Sequence, residues 1–266
     1  QDGIDVYAMN TGLTEGVSLG SRSFSALEKP EVALVVEAGS SYDAGEIWHL
    51  LDTRMDMKVT KLPESRLGSN RISRYNVIII TGGLRLSEDE ISNLKRWVRN
   101  GGTLIGTTSA VAWLARNDFS NLNFVNAERP DPSNITYDNL SNYNRGQYIP
   151  GGVYMSKLEL SHPLAYGYYR EELPTFRRGN VMVEPAEALY SNPGVYIDQP
   201  LASGWISAAN LEAIKGTSTI RASALGGGRV ISLVDNPNFR AFWYGTNKLM
   251  MNAIFFGKMI SGSAAR

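Results

Sequence analysis

The sequence predicts an α/β fold of the flavodoxin-like, doubly wound type, in which helices flank a mostly parallel sheet that ends in a C-terminal antiparallel hairpin. Three observations predict this fold. Short apolar runs alternate with amphipathic helical patterns over residues 31–115. Three such strand–helix units follow one another, and right-handed crossovers between them make neighbouring strands parallel. Near the C-terminus, three consecutive glycines join two apolar runs, which is typical of a hairpin.

The first unit opens with a continuous apolar run at 31–36, which is typical of a strand buried on both faces. A helix is predicted from about Asp43. Ser41 can cap its first turn, and Ile47 and Leu50 recur on one side at helical spacing.

The second unit carries clearer boundary signals. A strand is predicted near 57–62, and residues 75–81 give the strongest strand signal of the chain. Ser87 and Glu90 form a capping box for the helix that follows. We expect this helix to end at Gly101, because glycine readily adopts the left-handed conformation that terminates helices.

The third unit consists of a strand at 103–106 and a helix at 107–115. Residues 117–152 then change character, with many Asn, Asp, Tyr and Pro residues and little periodicity. An irregular insertion of this length is usually a functional, docking or mobile loop. The later elements are strands at 153–160, 181–183, 217–224 and 229–234, and a helix at 246–256 with Thr246 as its cap.

Composition excludes several classes of function. The 26 basic residues balance the 26 acidic ones, so no overall charge favours nucleic acid or an anionic membrane. No apolar run reaches the length of a membrane span. The chain has no cysteine, which excludes disulfides, thiolate nucleophiles and cysteine-ligated metals.

Two units are expected along the chain. Residues 1–30 are rich in Gly, Ser and Thr, and we interpret them as a linker or an edge wrap. Residues 31–260 form one domain, with the insertion at about 117–152. The sequence starts at Gln1 without a basic and apolar leader, so we expect a processed form or a piece of a longer chain.

No metal or cofactor is expected. Glu46 and His49 could share one helical face as metal ligands, but further ligands are hard to find because the chain has only one other histidine. A surface or core role for His49 is the stronger interpretation. Gly226–Gly228 is interpreted as a turn, because a phosphate-binding loop would be followed by a helix instead of a strand.

A serine hydrolase is the alternative enzymatic interpretation. Ser109 follows a strand at a helix start, where α/β enzymes place nucleophiles. The candidates for its base are His49 and His162, and the alternative pairs Ser109 with His162, although the sequence alone cannot place either histidine near Ser109. Ser109 also lacks the small residues that flank a nucleophile elbow.

Ligands of open α/β sheets gather at the carboxyl ends of the parallel strands, which makes this edge the expected binding crevice. The competing interpretation is structural, with the aromatic residues after the last strand packing in the core. The candidate binding residues are Tyr42, Gly82, Gly83, Thr108, Ser109, Asp235, Asn236 and Arg240.

Four segments resemble one known family. These are 29–36 (KPEVALVV), 44–52 (AGEIWHLLD), 161–168 (SHPLAYGY) and 235–248 (DNPNFRAFWYGTNK). They are similar to the C-terminal class I glutamine amidotransferase-like domain of secreted bacterial zinc carboxypeptidases, over about residues 5–258. The resemblance implies a flavodoxin-like sheet, an upstream peptidase domain as partner, and a secreted or periplasmic parent protein.

The chain departs from that family's catalytic pattern. The resemblance puts the nucleophile on Thr108 or Ser109 and the base within 235–237, where no histidine occurs. Loss of both the thiolate and the base removes the nucleophile and its activation. The turn at Gly82 and Gly83 resembles the oxyanion-hole loop. The zinc-peptidase His-x-x-Glu pair is also missing from the chain.

We therefore expect a non-catalytic accessory module that supports the stability, the oligomerisation or the substrate recognition of a zinc carboxypeptidase. The Ser109–His162 hydrolase and a small-ligand-binding module, using Tyr42, Gly83, Ser109 and Arg240, remain the alternatives. Partner contact is expected at the tyrosines of the insertion, Tyr137, Tyr143 and Tyr148.

Overall fold

The computed structural model describes residues 5, 7–13, 15–16, 18–21, 24, 26–36 and 41–262. Within them the chain forms nine strands and six α-helices. In chain order these are β1 (Val32–Val36), α1 (Tyr42–His49), β2 (Val59–Pro63), β3 (Val77–Ile80), α2 (Glu88–Arg99), β4 (Thr103–Thr107), α3 (Ser109–Arg116), α4 (Leu140–Gly146), β5 (Gly152–Leu158), β6 (Glu172–Arg177), β7 (Gly194–Gly204), α5 (Ala208–Ile214), β8 (Ser218–Leu225), β9 (Gly228–Leu233) and α6 (Asn247–Phe256).

All nine strands belong to one sheet, in the order β2-β1-β3-β4-β9-β8-β7-β5-β6. Strands β2, β1, β3, β4 and β9 pair in parallel, and we call them the parallel half. Strands β8, β7, β5 and β6 add antiparallel pairs, and we call them the antiparallel half. The predicted α/β class and the β8–β9 hairpin are confirmed, and the antiparallel part is larger than that hairpin.

Helices cover both faces of the parallel half, as a doubly wound fold requires. Side chains of α1 and α6 pack on one face against strand residues such as Leu34 and Ile79. Side chains of α2 and α3 pack on the other face against residues such as Val35 and Ile78. Consecutive strand residues point to opposite faces, so β1 and β3, which are covered on both sides, are apolar throughout.

Several local predictions are confirmed. Ser41 caps α1 by accepting from the backbone N–H of Ala44. Ser87 and Glu90 form the capping box of α2, and Gly101 has a φ of 110° just beyond its end. Thr246 precedes α6 as predicted, but its hydroxyl donates to the carbonyl of Pro237 instead of capping the helix.

Other expectations need correction. Residues 181–183 do not form a strand, because only Val183 makes isolated bridges, to Phe124 and Ser218. The segment 117–152 is not irregular throughout, since it contains α4. Within the described residues, no helix is both long and apolar enough to cross a bilayer. Twenty of the residues in the proposed linker at 1–30 are described, and none of these twenty lies in a helix or a strand.

Candidate functional site

The candidate site lies at the edge of the sheet where the parallel strands end. Strands β3, β4 and β9 are neighbours and run in the same direction, so their carboxyl ends meet at this edge. Gly82 and Gly83 follow β3, and Thr108 and Ser109 follow β4. Ser109 and Gly83 are exposed, whereas Thr108 is half-buried.

Thr108 occupies the sharp turn between β4 and α3. Its φ of 52° and ψ of −120° lie outside the usual regions for a β-branched residue. Its backbone N–H donates to the carbonyl of Leu233 (3.1 Å) and its hydroxyl to the carbonyl of Thr81 (3.0 Å). These bonds hold the strained turn between the ends of β3 and β9.

This turn changes two expectations. The helix predicted at 107–115 begins only at Ser109, because Thr107 still pairs within the sheet and Thr108 is not helical. Of the two candidates for the nucleophile position, Thr108 is the residue at the strand-to-helix elbow, and Ser109 is the first residue of α3.

Asn236 connects the end of β9 to the first turns of α1. Its side-chain amide donates to Asp43 Oδ1 (2.8 Å) and to Glu46 Oε2. Its side-chain oxygen, Oδ1, accepts from the backbone N–H of Asn238 (2.9 Å). Arg178 forms an ion pair with Asp43 (3.4 Å). Asn236 therefore orders two carboxylates at the edge where the sequence predicts a crevice.

Burial raises the pKa of Glu46, and the negative charge of Asp43 adds to this effect. The backbone N–H of Arg240 donates to Glu46 and opposes it, as does the charge of Arg178. Arg240 thus joins the site through its main chain, while its guanidinium lies 5.4 Å from the Phe239 ring. The structure places Tyr42 at the start of α1, where its side chain is 83% exposed.

Asp235 does not face this crevice. It is buried with Arg177, whose Nη1 donates to its Oδ1 at 3.3 Å, and the hydroxyl of Tyr196 donates to its other oxygen. Burial raises the pKa of Asp235, and the charge of Arg177 opposes that rise. Arg177 Nη2 also donates to the carbonyl of Val181 (2.5 Å). Asp235 therefore anchors β6 and β7 beneath the site.

The structure does not bring His162 to Ser109. The sheet register aligns Leu158, at the end of β5, with Thr107 at the end of β4, and three strands lie between them. Four strand spacings amount to about 19 Å. In addition, β5 runs antiparallel to β4, so the chain after Leu158 leads away from the site.

His162 instead has a structural role. Its Nδ1 accepts from the backbone N–H of Leu164 (3.1 Å), which caps a short 3₁₀ turn, and its side chain is buried. Burial lowers the pKa of His162 to about 4, although the charge of Glu159 opposes the shift. The imidazole is therefore neutral at pH 7.

Sequence reasoning missed the roles of Asp43 and Arg178 at this site. The sequence predicts Asp43 only as the approximate start of a helix, and nothing in the sequence links Asp43 to Asn236, 193 residues later. In the described part of the chain, no group of three or more His, Asp or Glu side chains is arranged to hold a metal ion.

Comparisons with known proteins describe the fold. No family model and no curated protein matches this chain. A ThuA-like protein of Parabacteroides merdae shares 12% identity, with 86% of this chain and 90% of that chain aligned and a TM-score of 0.54. A ThuA-like protein of Bacteroides uniformis also shares 12% identity over 88% and 94% of the two chains, with a TM-score of 0.51.

A third similar structure is the β-galactosidase of Bacillus circulans, at 12% identity and a TM-score of 0.52. The match covers 84% of this chain and 30% of that enzyme. The ThuA-like proteins have the class I glutamine amidotransferase-like fold, so the chain has this fold as well. At this level of identity the likeness shows the fold alone.

Proposed function

We propose that this chain is a non-catalytic, amidotransferase-like module that accompanies a hydrolase and supports its stability, its assembly or its recognition of substrate. The arrangement that carries the proposal is Thr108 at the elbow and Asn236 at the end of the last parallel strand. The Thr108 hydroxyl donates to a main-chain carbonyl, and the Asn236 amide is shared between two carboxylates. Neither side chain can act as a general base for the other.

The identity of the hydrolase rests on the motif resemblance. We propose a secreted or periplasmic zinc carboxypeptidase as the parent protein, with its peptidase domain upstream as the partner. The β-galactosidase match supports an accessory role, because the same fold there occupies 30% of a larger hydrolase chain.

Catalysis at the elbow can be tested directly. The chain is assayed for glutaminase and esterase turnover alongside Thr108→Ala, Ser109→Ala and, as a control at an exposed position of β7, Ser203→Ala. We expect no turnover above that of buffer for any of the four proteins. Wild-type turnover that disappears in Thr108→Ala or Ser109→Ala but persists in Ser203→Ala would overturn the non-catalytic proposal.

The accessory role needs a separate test in the parent chain. Removing residues 31–260 is expected to lower thermal stability or the processing of long peptides, while hydrolysis of a small chromogenic dipeptide persists. Unchanged stability, assembly and long-peptide processing after the deletion would contradict an accessory role.

A small-ligand module is the second candidate. Its supporting observation is that Tyr42, Gly83, Ser109 and Arg240 are all solvent-exposed, so a ligand can reach them. A thermal-shift screen with sugars and carboxylates tests it, because a bound ligand stabilises the folded state. A ligand that raises the melting temperature of the wild type but not of Tyr42→Ala would favour this candidate. The Ser109–His162 hydrolase has little geometric support, since the strand register separates the two residues.

A further inference from the structure

Three arginines line one surface cavity beside the edge strand β2, and none of its lining residues belongs to the strand-end site. Arg66, Arg71 and Arg74 surround a cavity of about 260 Å³ together with the buried side chains of Leu62 and Ile72. No acidic residue lines this cavity. We call it the arginine cavity. Its size is near the lower limit for small-ligand sites.

The backbone places two of these arginines side by side. Residues Asn70–Arg74 form a 3₁₀ turn. Side chains three residues apart eclipse each other in a 3₁₀ turn, at about 6 Å along its axis. Arg71 and Arg74 have this spacing. Arg66 comes from the preceding 3₁₀ turn, Glu64–Arg66, and completes the cavity.

The segment that carries the arginines is held firmly against α2. Trp97 Nε1 donates to the carbonyl of Tyr75 (3.0 Å), and Asn93 Nδ2 donates to the carbonyl of Gly68 (3.2 Å). Leu67 is fully buried beneath the segment. The backbone that carries the three arginines is therefore fixed, and only their exposed side chains would have to become ordered when a ligand binds.

The charges in the cavity have no partner within the described residues. None of the three arginines forms an ion pair there, whereas Arg177 and Arg178 each have an aspartate. Acidic residues are also missing from this part of the sequence, since residues 65–87 contain four arginines and no aspartate or glutamate. Like charges held together repel one another, and a bound anion would relieve this repulsion.

We propose that the arginine cavity binds a small ligand that carries two phosphate groups. Arginine presents a planar fork of N–H donors that matches phosphate oxygens in a bidentate manner. The paired forks of Arg71 and Arg74 suit two adjacent phosphates, and Arg66 adds a third cation. The proposal is independent of the accessory function, because the cavity shares no residue with the strand-end site.

Binding is tested on the full chain by titration with pyrophosphate, and with fructose 1,6-bisphosphate to distinguish phosphoanhydrides from phosphate esters. Saturable binding of either ligand that weakens with added salt is expected. Arg71→Gln with Arg74→Gln should weaken it at least about tenfold, since charge-assisted hydrogen bonds are lost. Arg71→Lys with Arg74→Lys should give an intermediate affinity, because the charge remains but the fork does not.

The control is Arg129→Gln with Arg145→Gln, which removes two exposed arginines from the 117–152 segment. This variant should bind within about twofold of the wild type. Absence of saturable binding to either ligand by the wild type would overturn the proposal. So would an equal loss of affinity in the control variant. Circular dichroism of each variant verifies that it is folded.

Discussion

In the parallel half of the sheet, strands β1, β3 and β4 bury aliphatic side chains on both faces. The antiparallel half instead encloses Arg177, Asp235 and Tyr196 in one hydrogen-bonded group. Arg177 and Tyr196 are each only 1% exposed. Apolar burial is non-directional and scales with area, whereas a buried ion pair is favourable only when its geometry satisfies both partners.

This difference predicts how each half of the sheet responds to substitution. The candidate site lies where the two halves meet, since Asn236 follows Asp235 directly after β9. The inward-facing aspartate fixes the antiparallel half, and the neighbouring asparagine orders the carboxylates of α1. Substitutions on the two sides of this boundary should therefore have effects of different kinds.

The largest effect is expected from Asp235→Ala, which leaves Arg177 buried without its carboxylate. We expect a loss of about 3–5 kcal/mol in the free energy of unfolding, measured by urea denaturation. Asp198→Ala, at an exposed position of β7, is the control and should change stability by no more than about 0.5 kcal/mol. Replacing both partners, with Arg177→Met and Asp235→Leu, should recover much of the loss. Equal losses in Asp235→Ala and Asp198→Ala would contradict the contrast between the halves.

The second prediction concerns acid sensitivity in the antiparallel half. His162 has a pKa of about 4 when folded and 6.5 when unfolded, so the unfolded chain takes up the proton first. Stability is therefore lost as the pH falls from 6.5 through 4, by up to about 3 kcal/mol.

His162→Asn removes this titration while its side-chain oxygen can still cap the turn. The free energy of unfolding is measured for wild type and variant at pH 7 and at pH 4. Between these two pH values it should fall more for the wild type than for the variant. A difference between the two proteins that is the same at both pH values would show that His162 is not the acid-sensitive group.

The third prediction concerns the elbow. Glycine adopts a positive φ without strain, so Thr108→Gly should be more stable than Thr108→Ala by about 1 kcal/mol, although both lose the hydroxyl. At Thr60, within β2, the order should be reversed, because glycine weakens a regular strand. Thermal unfolding of the four variants measures both differences. The same order at both positions would argue against backbone strain at Thr108.

The smallest effect is expected at Glu46. Because burial raises its pKa, ionisation of Glu46 opposes folding as the pH rises through that pKa. Glu46→Gln should therefore be more stable than wild type at pH 7.5, by no more than about 1 kcal/mol since the side chain is partly solvated. At pH 4 the gain should shrink. Glu187→Gln, at an exposed position, is the control, and an equal gain there would point to a general charge effect.

The parallel half could be predicted from the sequence because its signals are local. The run at 75–81 and the capping box of Ser87 and Glu90 each lie within one element. The antiparallel half gave weaker signals, and β6 and β7 were missed. Pro174 lies within β6, which is tolerated because β6 is the edge strand. Pro200 lies in β7 where the pairing with β5 shifts register.

For the candidate site, the sequence predicted the glycine turn, the elbow region, Asp235 and Asn236, but Asp235 is buried with Arg177 instead of facing the crevice. It did not separate Thr108 from Ser109, because the choice depends on a backbone dihedral angle. It also could not show that Asp235 faces inward while Asn236 reaches α1. Adjacent residues after a strand point in opposite directions, and which direction is buried depends on the elements packed there.

By itself the sequence determined the α/β class, the order of the first three units, the hairpin and the absence of a thiolate, because these follow from residue type and short-range periodicity. Only the tertiary structure decided which residue forms the elbow, that His162 lies four strands from Ser109, and that Asn236 joins Asp43 and Glu46. Contacts between residues far apart in the chain are set by strand order and register, which local patterns do not encode.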